Sequence, residues 1–243
     1  MDVNQVVNLI GTLFGLSLIR HGYVMLHASA VADAGTGEAI AFLGNSGSGK
    51  SSLALQLVER GGYDFLSNDR IFLKAIDDGV TIVGLPKKPR VNPGTLLASA
   101  ALSRLVVGSR RHAYEQLPAD ELWHLEEKTD IDVEDHLGAR SKISARLGHV
   151  YSLEWRRSDE GLRQESLDVD GAMAAMRVTS KDYGPYDRRD PGGPVEAEME
   201  RIARLVPFMR ITGKADPRGL AEHWRAGSAE RRYRRVEPVG GAP

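Results

Sequence analysis

Residues 44–51 have the composition and spacing to bind a phosphate chain. They read Gly-Asn-Ser-Gly-Ser-Gly-Lys-Ser and match the pattern G-x-x-x-x-G-K-[ST] at every fixed position. Glycines let successive backbone N–H groups point into one concavity at the positive end of the following helix, where phosphate oxygens bind. The lysine adds a charge beside the β and γ phosphates, and the serine hydroxyl is placed to coordinate Mg²⁺. The motif predicts a site for a nucleoside triphosphate and Mg²⁺.

The neighbouring sequence favours this phosphate-binding loop over an ordinary glycine-rich turn. An apolar run at 38–43 precedes it, and residues 51–60 carry apolar side chains at helical spacing before Gly61 and Gly62. Strand, glycine loop and helix is the order that such a loop requires. The predicted nucleotide-binding residues are Gly44, Asn45, Ser46, Gly47, Ser48, Gly49, Lys50, Ser51 and Ser52.

Asp69 is the candidate acidic metal ligand. It follows the short apolar run 63–66 and lies only 19 residues after Lys50. A carboxylate at the end of a strand supplies Mg²⁺ in many proteins that use this loop. In those proteins the aspartate often lies much further along the chain. The short spacing here therefore limits which class of proteins with this loop the chain can resemble.

The elements that must position these residues are predicted from apolar periodicity. Helical spacing covers 4–21, which we expect to pack on the core, and also 51–60, 95–107, 118–128, 171–178, 195–205 and 217–225. Strand patterns cover 23–31, 38–43, 63–66, 149–155 and a hairpin at 70–76 and 80–85. The fold class is therefore α/β, with a mixed β-sheet flanked by helices around the phosphate-binding loop. Trp123 and Trp155 are expected in the core.

Composition limits the remaining possibilities. The chain has 243 residues, of which 42% are hydrophobic, and a formal net charge of −1. We expect one domain at 1–226 and a flexible basic tail at 227–243. Balanced charge argues against nucleic acid and membrane partners, and no targeting segment is evident. The chain has no cysteine, which excludes disulfides and thiol catalysis and suits a cytoplasmic protein.

Three segments resemble the catalytic domain of HPr kinase/phosphorylase: Leu-His-Ala-Ser-Ala-Val at 26–31, the loop at 44–51, and Ser-Asn-Asp-Arg at 67–70. That family shares the fold of phosphoenolpyruvate carboxykinase. Residues 85–95, 121–123 and 125–128 resemble a branch called HPr kinase-related kinases. The chain is shorter than a full HPr kinase and lacks room for that family's separate N-terminal domain.

The resemblance implies an ATP-dependent kinase and assigns roles by position. Lys50 and Ser51 lie on the nucleotide and its metal, Asp69 binds Mg²⁺, and His27 lies beside the transferred phosphoryl group. Glu126 matches a further metal-binding glutamate, although its helix also reads as a solvated acidic face. His27 on an apolar strand also fits a hydrogen-bonded core residue. Relatives form homo-oligomers, so self-association is an option here.

Asn68 departs from the family pattern, which has two adjacent aspartates at 68 and 69. The first aspartate is the general base for the acceptor hydroxyl and the acid in the reverse, phosphorolytic reaction. Asn68 cannot take a proton but can orient an acceptor by hydrogen bonds. The base is then His27 or Asp69, or none is needed, because phosphoryl transfer depends mainly on positioning and charge neutralisation. We expect kinase action without efficient phosphorolysis.

The acceptor is a Ser or Thr hydroxyl of a protein or peptide, or a small-molecule hydroxyl. Lys87, Lys88 and Arg90 follow a predicted strand and fit either an anion-binding role or surface solubility. The alternative function is a nucleotide-binding regulatory module with little turnover, which Asn68 keeps open. A GTPase or motor ATPase fits less well, because we find no Asn-Lys-x-Asp pattern.

Overall fold

The structure is a computed structural model and describes residues 3–85, 87–155, 161–180, 193–214, 216–221 and 224. The predicted tail at 227–243 lies outside the described residues. The strands are β1 (Val24–Leu26), β2 (Ser29–Asp33), β3 (Glu38–Leu43), β4 (Tyr63–Ser67), β5 (Ile71–Ile76), β6 (Gly79–Gly84), β7 (Arg90–Val91), β8 (Thr129–Asp130), β9 (Ser144–Leu153), β10 (Arg163–Leu167) and β11 (Phe208–Thr212). The helices are α1 (Val3–Arg20), α2 (Lys50–Glu59), α3 (Pro93–Ala98), α4 (Gly108–Glu115), α5 (Ala119–His124), α6 (Val133–Leu137), α7 (Val169–Thr179) and α8 (Pro194–Leu205).

Nine strands of the described chain form one mixed sheet in the order β1-β5-β6-β9-β3-β2-β4, with β11 beside β9 and β10 beside β11. The long strand β9 is its centre. One edge of β9 pairs in parallel with β3, and the other pairs first with β6, antiparallel, and then with β11, parallel. The predicted α/β class with a mixed sheet is confirmed.

Alternation along the strands divides the core into two layers. In β3, Ala39, Ala41 and Leu43 join the apolar cluster that contains residues of α7 and α8. Phe42 of the same strand lies in the cluster that contains residues of α2. Because successive strand side chains point to opposite faces, one strand serves both layers. The helices flank the sheet on its two faces.

Several predicted elements differ from the structure. The strand predicted at 23–31 is two strands, β1 and β2, separated by His27 and Ala28. The prediction of one helix at 95–107 is wrong. Helix α3 ends at Ala98 because Ser99 is extended, with φ −100° and ψ 130°, and the Ser99 hydroxyl accepts the N–H of Leu102. A short 3-10 helix then spans Leu102–Leu105.

The helix predicted at 118–128 is also shorter, since α5 ends at His124. Strands β8, β10 and β11 and helices α4 and α6 were not predicted. Strand β10 shows why: its sequence Arg-Gln-Glu-Ser-Leu is almost wholly exposed, so it lacks apolar alternation. The segment predicted helical at 217–225 is helical at 217–221 and at Trp224, and its other residues lie outside the described set.

Helix α1 is packed on the core at only one end. Phe14, Leu18 and Ile19 contact a small cluster around Phe72, whereas Leu9 and Ile10 are more than half exposed. The prediction of a core-packed helix therefore holds for its C-terminal half and is wrong for the remainder. None of the helices in the described part of the chain has the length and hydropathy to cross a bilayer.

Candidate nucleotide-binding site

The phosphate-binding loop connects β3 to α2 as predicted. Gly44 has φ +143°, and a side chain there would overlap Ser48 and the carbonyl oxygen of Leu153. Gly49 has φ +80° and immediately precedes α2. Both positions need glycine, because other residues rarely adopt such a backbone. The loop therefore ends at the N-terminus of a 10-residue helix, where backbone N–H groups attract anions.

Lys50 is the buried cation of this loop. Its side chain is 5% exposed, and its ammonium donates to the carbonyl oxygens of Gly44 and Asn45, each at 2.8 Å. These carbonyls offset the cost of burying the charge but carry no charge of their own. Lys50 lines the cleft, where its ammonium is placed to contact a phosphate.

Neighbouring elements hold the loop in place. The Trp155 indole donates to the carbonyl oxygen of Ser48 at 2.6 Å and packs beside Gly49, which confirms its predicted core position. The Ser52 hydroxyl is 2.8 Å from that of Thr95, so Ser52 ties α2 to α3. Ser48 Oγ is buried without a hydrogen-bond partner among the described residues. Trp155 and Thr95 lie outside the loop motif, so the motif alone does not predict these contacts.

His27 and Asp69 form a pair in the same cleft. The backbone N–H of Ala28 donates to the Asp69 carbonyl at 3.2 Å, which joins the break between β1 and β2 to the end of β4. His27 Nδ1 then lies 3.0 Å from Asp69 Oδ1, and Arg70 Nε lies 3.4 Å from Asp69 Oδ2. The pair lines a cleft of about 530 Å³ together with Lys50 and Ser51.

Asn68 also lines this cleft. Its amide nitrogen donates to the carbonyl oxygen of Arg90 at 3.4 Å. Its Oδ1 is buried and has no hydrogen-bond partner among the residues described. A buried acceptor without a donor is costly, so this oxygen is suited to a ligand N–H or O–H.

Ser51 and Asp69 fit a magnesium ion bound together with a nucleotide. Within the described ranges, no group of three His, Cys, Asp or Glu side chains could hold a metal by itself. Magnesium on a nucleotide takes few protein ligands and several phosphate and water oxygens. One hydroxyl and one carboxylate in a shared cleft match that demand.

Glu126 lines the cleft but is 73% exposed and already engaged. Its carboxylate lies 3.1 Å from Lys128 Nζ and 3.5 Å from Asn92 Nδ2. The Lys128 ammonium, aided by the Asn92 amide, lowers the pKa of Glu126 below its usual value. Glu126 is therefore ionised at neutral pH, as a metal ligand must be, but it would have to leave Lys128.

The remaining wall of the cleft is cationic. Lys87, Lys88 and Arg90 line it, as does Lys128, which the sequence did not single out. The sequence also did not single out Asn92 and Thr95 as cleft residues. The one available signal was Asn92 directly before Pro93, a common start of a helix, which is where α3 begins.

Trp123 was predicted in the core but is 38% exposed, so that prediction is wrong. It lines the cleft and packs against Gly94, where a side chain would overlap the indole. Of the predicted site residues, His27, Ser46, Gly47, Gly49, Lys50, Ser51, Ser52, Asn68, Asp69 and Glu126 line one cleft. Gly44, Asn45 and Ser48 lie in the same loop without lining it.

The sequence matches no protein-family model and no curated protein. Among solved structures, it is similar to one described as the HPr(Ser) kinase/phosphatase from Coxiella burnetii. The identity is 13%, the TM-score is 0.42, and the match covers 86% of this chain and 91% of the other. Similarity at this level does not distinguish one activity from another.

Proposed function

We propose that this chain is an ATP-dependent kinase that transfers the γ-phosphate to an acceptor hydroxyl. The observation that carries the proposal is the placement of the phosphate-binding loop and the His27–Asp69 pair in one cleft. The sequence resemblance to HPr kinase/phosphorylase, in the segments around His27, Lys50 and Asp69, supports the same reaction. The acceptor is a Ser or Thr hydroxyl of a protein or peptide, or a hydroxyl of a small molecule.

Transfer proceeds by attack of the acceptor oxygen on the γ-phosphorus. The bond from that phosphorus to the β–γ bridging oxygen breaks, and ADP leaves with the electron pair. Lys50 and the loop N–H groups hold the phosphates, and the acceptor proton passes to the His27–Asp69 pair. Mg²⁺, when bound by Ser51 and Asp69, with Glu126 as a further candidate, supplies neutralisation of phosphate charge.

A regulatory module that binds ATP with little turnover is the second candidate function. Asn68 favours it, because an amide at this position removes a titratable group from the cleft. Nucleotide occupancy would then change the shape presented to a partner. Both functions use the same nucleotide site. They differ in whether the γ-phosphate is transferred to an acceptor.

The test is to incubate the purified protein with Mg²⁺ and ATP labelled on the γ-phosphate, together with a lysate of its source. Lys50→Ala is run in parallel, and its thermal unfolding is compared with wild type to show that it is folded. We expect label on a peptide or metabolite with the wild type and a loss of at least roughly 100-fold in the variant, because the loop lysine stabilises charge that develops during transfer. Nucleotide binding without transfer above the variant's background would favour the regulatory module.

A further inference from the structure

Cationic side chains from outside the phosphate-binding loop also line the cleft. Among the described residues that line it, five are lysine or arginine (Lys50, Lys87, Lys88, Arg90 and Lys128) and two are carboxylates (Asp69 and Glu126). Lys50 belongs to the phosphate-binding loop. The other four cations lie on segments 87–90 and 128, which the chain brings to the same cleft from outside that loop.

Three of these four cations have a carboxylate partner. Lys88 lies 2.8 Å from Asp132, Arg90 lies 2.9 Å from Asp130, and Lys128 lies 3.1 Å from Glu126. Asp132 raises the pKa of Lys88, so that amine remains charged. Ion pairs this exposed are weak, because water competes with them. They orient the cations but leave them able to contact a stronger anion.

Lys87 is different. Its ammonium contacts the neutral amide oxygen of Asn8 in α1 at 2.9 Å, and no carboxylate pairs with it among the described residues. Helix α1 also reaches the cleft at Gly11, which packs against Leu85. Lys87 is therefore a cation held at the cleft wall by a neutral partner, and its charge remains available to an anion.

Two amide oxygens in the same cleft require hydrogen-bond donors. Asn68 Oδ1 and Asn92 Oδ1 are both buried, and neither has a hydrogen-bond partner in the described part of the chain. An amide oxygen accepts from O–H or N–H groups, and a phosphate chain offers none. Water, the sugar and base of a nucleotide, and a hydroxyl-bearing acceptor all carry such donors, so these oxygens are compatible with an acceptor that bears hydroxyl groups.

We propose that the phosphate acceptor is a small hydroxy compound that carries its own anionic group, a carboxylate or a phosphate. The anionic group binds Lys87 with support from Lys88 and Arg90, and hydroxyl groups donate to Asn92 and Asn68. This inference rests on the proposed kinase function and names its substrate class. A cleft of about 530 Å³ lies within the range of small-molecule sites.

An acceptor of this class undergoes the same transfer chemistry as the one described for the proposed kinase. A hydroxyl oxygen of the compound bonds to the γ-phosphorus, the bond to the bridging oxygen breaks, and ADP leaves. The hydroxyl proton passes to the His27–Asp69 pair. The compound's own anionic group takes no part in bond making and serves to hold the reacting hydroxyl in place, which lowers the entropic barrier.

Binding is tested first, apart from transfer. The protein is saturated with Mg²⁺ and a non-hydrolysable ATP analogue and titrated calorimetrically with D-glycerate, gluconate, glycerol 3-phosphate and glycerol. We expect at least one of the three anions to bind at least 10-fold more tightly than neutral glycerol. A carboxylate and a phosphate source are distinguished by which of glycerate and glycerol 3-phosphate binds better. Equal or weaker binding of all three anions overturns the inference.

Transfer is tested next with labelled ATP, using the same compounds and a seryl peptide as acceptors. Label on an anionic hydroxy compound at a rate at least 10-fold above glycerol and the peptide supports the inference. Label mainly on the peptide or on glycerol overturns it while leaving the kinase function standing. If the anions bind but receive no label, the anion site stands, the inference that such a compound is the acceptor is overturned, and the lysate experiment alone decides the kinase function.

Two variants and a matched control locate the anion site. Lys87→Gln and Asn92→Ala should each weaken binding of the preferred anion at least 5-fold, with affinity for the ATP analogue changed less than 2-fold. Asn92 makes no side-chain hydrogen bond to the first turn of α3, so removing its side chain leaves that helix start intact. Lys214→Gln removes an exposed lysine that does not line the cleft and should change neither affinity. Equal loss of anion affinity in all three variants would contradict the placement.

Discussion

Asn68 places an amide at the end of β4, in contact with the same cleft as the His27–Asp69 pair. An amide can hold a hydroxyl by hydrogen bonds but cannot give or take a proton. Forward transfer tolerates this, since the hydroxyl proton has another destination in His27 and Asp69. If the chain is a kinase, phosphorolysis by inorganic phosphate needs an acid at the departing acceptor oxygen, and Asn68 cannot be that acid.

We therefore expect Asn68→Asp to accelerate phosphorolysis, in which inorganic phosphate removes phosphate from the labelled product. A general acid contributes roughly 10²–10⁴-fold, so a gain of at least about 10-fold is expected. The measurement is release of label from isolated product in the presence of inorganic phosphate. Asn92→Asp is the matched control, since it changes the other cleft asparagine with a buried unpaired oxygen. An equal gain in both variants would mean that added negative charge, and not the position of residue 68, is responsible.

At the level of single residues, the sequence could predict which residues form the loop at the candidate site, because one short motif contains most of them. The loop from Gly44 to Ser51 needs only its own glycines and the adjacent strand and helix. Asn92 and Lys128 could not be found this way, since they reach the cleft through the path of the chain after β6. Glu126 was found by resemblance alone, and its pairing with Lys128 was not predictable from spacing.

At the level of elements, close packing of β6 against β4 positions the end of the strand that carries Asn68 and Asp69. Gly84 ends β6, and a side chain on it would overlap the backbone oxygen of Leu66. Its N–H also donates to the carbonyl oxygen of Ile143 at 2.8 Å. A larger residue here must push β6 away from the strand end that carries the site.

Gly84→Ala should lower the free energy of unfolding by about 1–3 kcal/mol, the usual cost of overpacking a close-packed site. Gly161→Ala provides the control, because a side chain at Gly161 meets no atom of the described residues within 4 Å and its φ is not positive. Urea unfolding of both variants measures the difference. A cost for Gly161→Ala as large as that for Gly84→Ala would show that the contact with Leu66 is not the cause.

The sequence patterns predicted the elements that are formed by contacts between residues close together in the chain. The β5–β6 hairpin and the turn at Asp33, whose carboxylate accepts two backbone N–H groups at 2.8 Å, are closed by neighbours in the chain. The helix predicted at 95–107 failed because the Ser99 side chain caps a separate turn. Strand β10 is exposed and is fixed by its pairing with β11, in which Glu165 lies opposite Arg210, 45 residues later in the chain. No local pattern encodes such a partner.

For the whole molecule, the sheet couples the two apolar layers. Val31 and Phe42 belong to the layer with α2, while Ala30 and Ala41, their neighbours in the chain, belong to the layer with α7 and α8. Neither layer can lose its contacts without disturbing strands that the other layer needs. The predicted single domain at 1–226 should therefore unfold as one unit.

We expect thermal unfolding followed by tryptophan fluorescence and by far-ultraviolet circular dichroism to give one midpoint. Mg²⁺ and ATP at 100 times the dissociation constant should stabilise the fold by about 2.7 kcal/mol. For a chain of this size, that raises both midpoints together by roughly 5–10 °C. Lys50→Ala should remove the shift in both signals. A nucleotide-dependent shift in fluorescence alone would contradict a single cooperative unit.

The position of β9 at the centre of the sheet also governs how the chain is made. Strand β3 ends at Leu43, yet the partner that covers its second edge is β9, where Leu43 pairs with Ser152. At 5–20 residues per second, the ribosome needs roughly 5–20 s to synthesise the intervening 108 residues. During that interval, an apolar strand with an open edge awaits its partner, and unpaired edges promote aggregation. The strand that carries the phosphate-binding loop is thus the part of the nascent chain with the greatest need of protection.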